Sequence, residues 1–411
     1  MLAKAHRPGA RRPLLSRDMQ ISELIVREEL IGLLADLVTI NSVNPAYDPA
    51  SNEKEIADHI RAVLSDWRIS AETQEVLPDR CNVIARIEGK DPSRNLVFEA
   101  HMDTVSVQGM SIDPFRPEIK DGRLYGRGSC DTKAGLAAML YALKAIKKSG
   151  LQPPINVLLA ATVDEEHSFK GVSHLVRSGL KAEGAVVSEP TDLEVIIAHK
   201  GCLRWRIVTK GRAAHSAKVH LGINAIAKMA RVIEALENNL LPAYQNRRHP
   251  LLGCPTLNVG LIRGGIQINT VPDRCEIEVD RRLLPGEDRE SVWKEFSILL
   301  NELRARDSDF WVEMEEPMLE DDALETSQDE VIVAAAREAC RIVCGKDRAL
   351  GVPYGTDASK LSRAGIPSIV LGPGNIDQAH SAVEYVDINQ VVAATEIYTR
   401  IMLAPQLESA T

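Results

Sequence analysis

An α/β fold with a parallel or mixed sheet, interrupted by an inserted α+β domain, is what the sequence predicts, and three observations predict it. Up to about Glu194, short apolar runs bounded by polar residues alternate with helical periodicity, as strands buried between helix layers do. Near His199 the runs give way to apolar/polar alternation, the mark of strands with one wet face. Beyond Glu325 the first texture returns.

Taken in order, Ser51–Trp67 spaces Ile56, Ile60, Leu64 and Trp67 as a helix would. Asn95–Ala100, Ile155–Thr162 and Ala185–Val187 are predicted strands, and Ala134–Lys148 is a predicted helix with Leu136, Leu140, Leu143 and Ile146 inward. Leu203, Trp205 and Ile207 then alternate with polar residues. A helix near Ile223–Asn238, strands at Thr256–Ile262 and Arg274–Arg281, a helix at Asp288–Arg304 and a strand at Phe310–Met314 follow. Their sequence is β-α-β-β-α-β, the ferredoxin-like order. A helix at Val331–Val343 and a strand at Ile366–Leu371 resume the α/β pattern. The expected divisions are an extension over 1–18, a first α/β part over 19–197, an insert over 198–316 and a second α/β part over 317–411.

Composition narrows the partners. The 411 residues are 45% hydrophobic and 26% charged, and 49 Lys+Arg against 58 Asp+Glu give −9 without a long run of one sign. Such a surface offers no broad basic field for nucleic acid or anionic lipid, so a small molecule is the expected partner. No stretch approaches the roughly 20 apolar residues of a membrane span. The first 18 residues carry Lys4, Arg7, Arg11, Arg12 and Arg17 without an apolar core, which excludes a secretory signal; a disordered extension ahead of Met19 is the expectation, with a transit peptide the alternative. Seven scattered cysteines without a Cys-x-x-Cys pair fit free thiols in a reducing cytoplasm.

The ionisable residues collect just past the predicted strands. Asn95–Ala100 runs into His101 and Asp103, Ile155–Thr162 into Asp164-Glu165-Glu166, Ala185–Val187 into Ser188-Glu189, and Ile366–Leu371 through a Gly-Pro-Gly to His380. Open α/β sheets bind ligands at that edge. Singly, each residue has an ordinary explanation: a loop histidine, a solvated acidic turn, or, for Asp131 ahead of the Ala134 helix, a capping acid. The set would be two histidines and at least three carboxylates in one crevice, where unpaired carboxylates would repel one another and resist ionisation unless divalent cations joined them. Mixed His and carboxylate ligation without thiolate suits zinc, manganese or cobalt, with open positions for water.

The motifs resemble those of the dinuclear zinc hydrolases that include acetylornithine deacetylase, succinyl-diaminopimelate desuccinylase, aminoacylase and the glutamate carboxypeptidases. They are His101-Met-Asp-Thr-Val, Gly126-Arg-Gly-Ser-Cys-Asp-Thr-Lys-Ala-Gly, Asp164-Glu-Glu, Ser188-Glu-Pro-Thr, Gly211-Arg-Ala-Ala-His-Ser, and Gly372-Pro-Gly followed by Ala379-His-Ser. Their order and separation agree from about Glu23 to about Met402.

The resemblance implies a zinc-peptidase-like catalytic domain carrying a ferredoxin-like lid and dimerisation insert. It implies two divalent metal ions per subunit, zinc before cobalt or manganese, bridged by Asp131. His101 and Glu189 would complete one ligand set, Glu166 and His380 the other. Asp103 would orient His101, and Glu165 would be the general acid/base. His215 would reach a partner subunit's active site and polarise the scissile carbonyl, while Asn269 and Arg282 would hold substrate oxygens and carboxylate. The implied protein is a homodimer, and the cysteine usage makes it a cytoplasmic one. The implied activity is hydrolysis of a small N-acyl amino acid by a metal-activated water, with a carboxypeptidase or dipeptidase as the alternative and a non-catalytic binding protein as a distant one. A metal-dependent phosphoesterase is disfavoured, because Gly374-Asn-Ile-Asp377 has Ile where a histidine is needed. One departure concerns the stretch Gly355-Thr-Asp-Ala-Ser359-Lys360, where many relatives carry an arginine directly after Asp-Ala. Arg and Lys differ in carboxylate geometry.

Overall fold

A computed structural model describes residues 21–408, so the expectation for 1–18 lies outside the described residues. Nine strands form a mixed sheet in the order Ser70–Leu77, Arg80–Ile87, Ile155–Thr162, Asp91–His101, Gly184–Val187, Ser368–Val370, Val195–His199 and Leu324–Glu325, with Ala349–Val352 also paired to Val195–His199. Its four central strands, from Ile155–Thr162 to Ser368–Val370, are mutually parallel. Their C-terminal ends therefore share one edge.

The strand expected at Asn95–Ala100 runs longer, to His101, which pairs with Thr162 in register. The one expected at Ile366–Leu371 shrinks to Ser368–Val370, because Pro367 cannot donate to the ladder. Helices Arg27–Thr39, Lys133–Ser149, Val331–Cys344 and Ile388–Met402 share one apolar core with the sheet, and Lys170–Arg177 and Ala358–Arg363 pack on the other face. The central helix Lys133–Ser149 is buried nearly all round and stops at Gly150, which takes the left-handed cap (φ 71°).

The chain leaves this sheet between His199 and Gly201 and re-enters it between Asp321 and Leu324. Between them, Thr256–Gly264, Arg274–Leu283, Gly201–Lys210 and Trp311–Met314 form an antiparallel sheet in that order, and Leu319–Asp321 extends the pairing on Gly201–Lys210. Helices Ala225–Ala235 and Arg289–Arg306 complete the ferredoxin-like order, the second opened by a capping box between Asp288 and Ser291. The first is shorter than the expected Ile223–Asn238, since the Asn224 side chain caps Ala227 N–H and a π-helical turn, Leu236–Leu240, takes over at its end. This sheet has its own core: Trp205, fully buried, meets Phe296 edge-on at 4.8 Å.

Candidate metal centre

His101 closes its strand with the ring directed by hydrogen bonding. Its Nδ1 lies 2.9 Å from the main-chain oxygen of Asp103, a pure acceptor, so Nδ1–H donates and the Nε2 lone pair faces the other way. There Nε2 meets Asp131 Oδ1 at 3.1 Å and Glu189 Oε1 at 3.8 Å. The other oxygen of Asp131, Oδ2, stands 3.1 Å from His380 Nε2, which lies 3.2 Å from Glu166 Oε2. Asp131 thus sits between two imidazoles, each with its own glutamate. Single donor atoms of His101, Asp131 and Glu166 lie within 4.8 Å of one another.

The electrostatics state what charge this cluster calls for. Burial, then the neighbouring acids, pushes Glu165 and Glu189 well above the usual carboxylate range, and Glu166 is raised for the same reasons. Burial alone would lower His101, but its bond to Asp131 and the charges of Glu189 and Glu165 hold it well above its ordinary value. His380 is raised to about 11, first by Asp131 and then by Glu166. Protons on both imidazoles are the only cations these side chains can offer one another. Divalent ions would fit the same donors and satisfy the same charges.

A surrounding shell fixes the donors. The Asp103 carboxylate stands 3.7 Å from His101 Nδ1 and is occupied elsewhere, accepting the amides of Glu165 and Glu166 at 3.1 Å each and Asn44 Nδ2 at 2.8 Å. It is therefore the Asp103 carbonyl that orients the ring, while its carboxylate holds the Glu165–Glu166 turn. Arg80 pairs with the buried Glu53 and with Asp164, whose left-handed backbone (φ 69°) starts that turn. Glu384, fully buried, accepts the amides of Gly128, Cys130 and Asp131 at 3.0, 2.9 and 3.0 Å and the Arg127 guanidinium at 2.6 Å. Pairing of Tyr385–Asp387 with Arg123–Tyr125 brings the two loops together. At Gly135 a Cβ would come within 1.6 Å of Ser188 Oγ, so only glycine lets the central helix abut the strand end carrying Glu189.

Asp131, Glu165, Glu166, Glu189, His380 and Arg282 border one cavity of about 650 Å³. His101 and Asp103 are buried behind them. His215 and Asn269 are not on its wall. Both are exposed and share a hairpin, where Ser216 N–H donates to Asn269 O at 2.9 Å. Sequence reasoning missed Glu384, Arg80 and Tyr47, whose hydroxyl donates to Glu166 O at 2.7 Å. No spacing signal joins Glu384 to Asp131 across 253 positions, although its place four residues after His380 was visible.

The chain matches peptidase family M20/M25/M40 across residues 97–404. It is similar to acetylornithine deacetylase of Myxococcus xanthus, with 32% identity over 353 residues that cover 84% of this chain and 90% of that enzyme. It is also similar to N-formyl-4-amino-5-aminomethyl-2-methylpyrimidine deformylase of Bacillus subtilis, with 28% identity over 90% of this chain and 93% of that one. Among solved structures, aminopeptidase PepT of Bacillus cereus shares the fold with a TM-score of 0.77 at 22% identity, covering 94% of this chain and 100% of the other. The Bacillus subtilis YxeP protein, described as a dinuclear metal binding peptidase, does so with a TM-score of 0.71 at 19% identity, covering 92% and 97%.

Proposed function

This chain belongs to peptidase family M20/M25/M40 and is a metal-dependent amide hydrolase, and from that premise we propose that it deacylates a small N-acyl amino acid. The observation that carries the reading is the placement of Asp131, one oxygen toward His101 and the other toward His380, on the same cavity wall as Glu165. His101, Asp131 and Glu189 would hold one divalent ion and Asp131, Glu166 and His380 a second, with zinc the first choice and cobalt or manganese the alternatives. Bound there, such ions supply Lewis-acid charge that acidifies water and polarises a carbonyl.

The chain's own residues do the rest. Among the described residues no hydrogen bond holds the Glu165 carboxylate, which leaves it to take a proton from water and pass it to the departing nitrogen. Water adds to the acyl carbon, the C–N bond breaks, and a carboxylic acid and a free amine leave. Arg282 would hold the substrate's carboxylate. His215 and Asn269 would serve the site of a second copy, with His215 polarising the scissile carbonyl. Supporting a homodimer, Thr256–Gly264 is an edge strand with exposed Leu261 and Ile262, and Ile266 and Ile268 beside Asn269 are 85% and 104% exposed. The seven free cysteines support a reducing, cytoplasmic setting, and among the described residues no helix is long and apolar enough to cross a membrane.

The test is amine release from acetyl, succinyl and carbamoyl amino acids alongside dipeptides, with and without chelator. Glu165→Ala should keep two metals by elemental analysis and lose on the order of 10²–10⁴-fold in kcat; wild-type rates in that variant would remove Glu165 from its role. Preferential cleavage of dipeptides would replace the deacylase reading with a peptidase one. Light scattering of wild type and Ile268→Asp reads the dimer, which fails if wild type is monomeric.

A further inference from the structure

We propose that Arg204 is a substrate-binding residue, a second guanidinium that together with Arg282 receives the carboxylate of the substrate; this rests on the N-acyl amino acid reading. The Gly201–Lys210 strand sends Leu203, Trp205 and Ile207 into the core of its own sheet. That leaves Cys202, buried, and Arg204, exposed, on the opposite face. Register places Arg204 between Asp280 and Leu319, and Cys202 between Arg282 and Asp321. Arg204, Arg282, Leu319 and Asp321 all border the cavity that holds Glu165 and Glu166. The inserted sheet therefore turns its polar face onto the candidate metal centre.

Charge on that face is unbalanced near the cavity. Asp280 accepts from Arg204 Nε at 2.7 Å and from Arg282 Nε at 2.9 Å, so one carboxylate faces two guanidiniums. Further along, charge is matched: Arg206 shares Glu278 (3.2 Å) with Arg263 and Glu315 (3.8 Å) with Arg274, and Glu276 meets both of those arginines, so three guanidiniums face three acids. One positive charge is left over beside the cavity, on side chains that are 46% (Arg204) and 29% (Arg282) exposed.

Lys360, the cation nearest the position where relatives carry an arginine, is already engaged. Its ammonium bonds Asp321, which also accepts Ser359 Oγ at 2.8 Å, and it lies 4.5 Å above the Phe169 ring. A Cβ at Gly355 would stand 2.1 Å from Asp321 Oδ2, so the 355–360 segment closes directly on that acid. Carboxylate recognition has thus passed from the Ala358–Arg363 helix to the inserted sheet. Two planar forks match the two oxygens of a carboxylate better than an ammonium does. The expected substrates are free acids, and their carboxamides are poor.

The experiment compares N-acetyl amino acids with the matching carboxamides, on wild type, Arg204→Gln, Arg204→Lys and Lys360→Gln. Arg204→Gln should raise KM for the acids by about 10-fold or more, since a hydrogen bond to a charged group is lost. It should leave kcat within about 2-fold and the carboxamides unaffected. Arg204→Lys should restore only part of the loss, and Lys360→Gln should keep the acid-to-carboxamide ratio. Equal losses on acid and carboxamide, no loss at all, or a ratio that collapses only in Lys360→Gln would overturn the proposal. Should wild type cleave none of these amides, the deacylase reading fails by itself, and calorimetric binding of the same N-acetyl acids then decides for Arg204. Binding weakened by Arg204→Gln upholds the clamp. Equal binding, or none to wild type, rejects it.

Discussion

Replacing Glu384 by glutamine separates a structural clamp from a spectator. The carboxylate faces four donors and is fully buried, while Arg127 is only 3% exposed. Glutamine keeps the volume but turns an NH₂ toward two of those donors and removes the counter-charge of Arg127. Breaking one partner of a buried ion pair costs about 3–5 kcal/mol, and each orphaned amide adds about 1 kcal/mol or more. A domain with about 5–15 kcal/mol of stability survives glutamine more safely than alanine. Urea unfolding should therefore show a drop of at least about 3 kcal/mol at unchanged m value. Because the amide of Asp131 is one of the donors, the variant should also bind less metal. Adding Arg127→Met should return part of the stability, since removing both partners is far cheaper than removing one. A loss under about 1 kcal/mol with full metal content would refute the reasoning.

Chelation should lower Tm and re-addition of divalent ions restore it, because Glu165, Glu166, Glu189 and Asp131 otherwise face one another; an unchanged Tm with no bound metal would contradict the centre. His199 is fully buried, with Nδ1 on Lys200 O at 3.0 Å and Nε2 without a partner among the described residues, and burial lowers its pKa against the opposing charge of Asp321. The unfolded chain then takes up this proton first, so stability is complete above about pH 6.5 and falls below it, by up to about 1.4 kcal/mol per pH unit from this group. His199→Gln should flatten that slope, and identical slopes would reject the assignment. Trp205→Ala empties the core of the inserted sheet and should cost about 3–5 kcal/mol by denaturant unfolding.

The parallel strands and their reactive ends were legible because burial on both faces leaves a continuous apolar run, and His101, Glu165, Glu166, Glu189 and His380 all follow such runs. The wet face of Gly201–Lys210 was legible as alternation. Element ends were less so: Pro367 and Asn224 moved two of them, through a missing donor and a side-chain cap. What stayed hidden are pairings with no local period. Glu384 with Asp131, Asp321 with Lys360, and Asp103 with the Glu165–Glu166 amides depend on where distant loops meet. The departure at Ser359-Lys360 was visible in the sequence, but that the lysine ties down an acid of the returning strand was not.

The two crossings between the sheets touch. A Cβ on Gly201 would lie 2.5 Å from Asp321 O and 2.7 Å from Ala323 N. Outgoing and homecoming strands therefore pass through one gap, like both ends of a loop of thread drawn through a single eyelet. An excursion of this kind places no demand on the order of the parent strands, which explains how so large an interruption leaves Val195–His199 and Leu324–Glu325 paired as neighbours. It also marks where the excursion can be cut out and its stumps joined by a short turn.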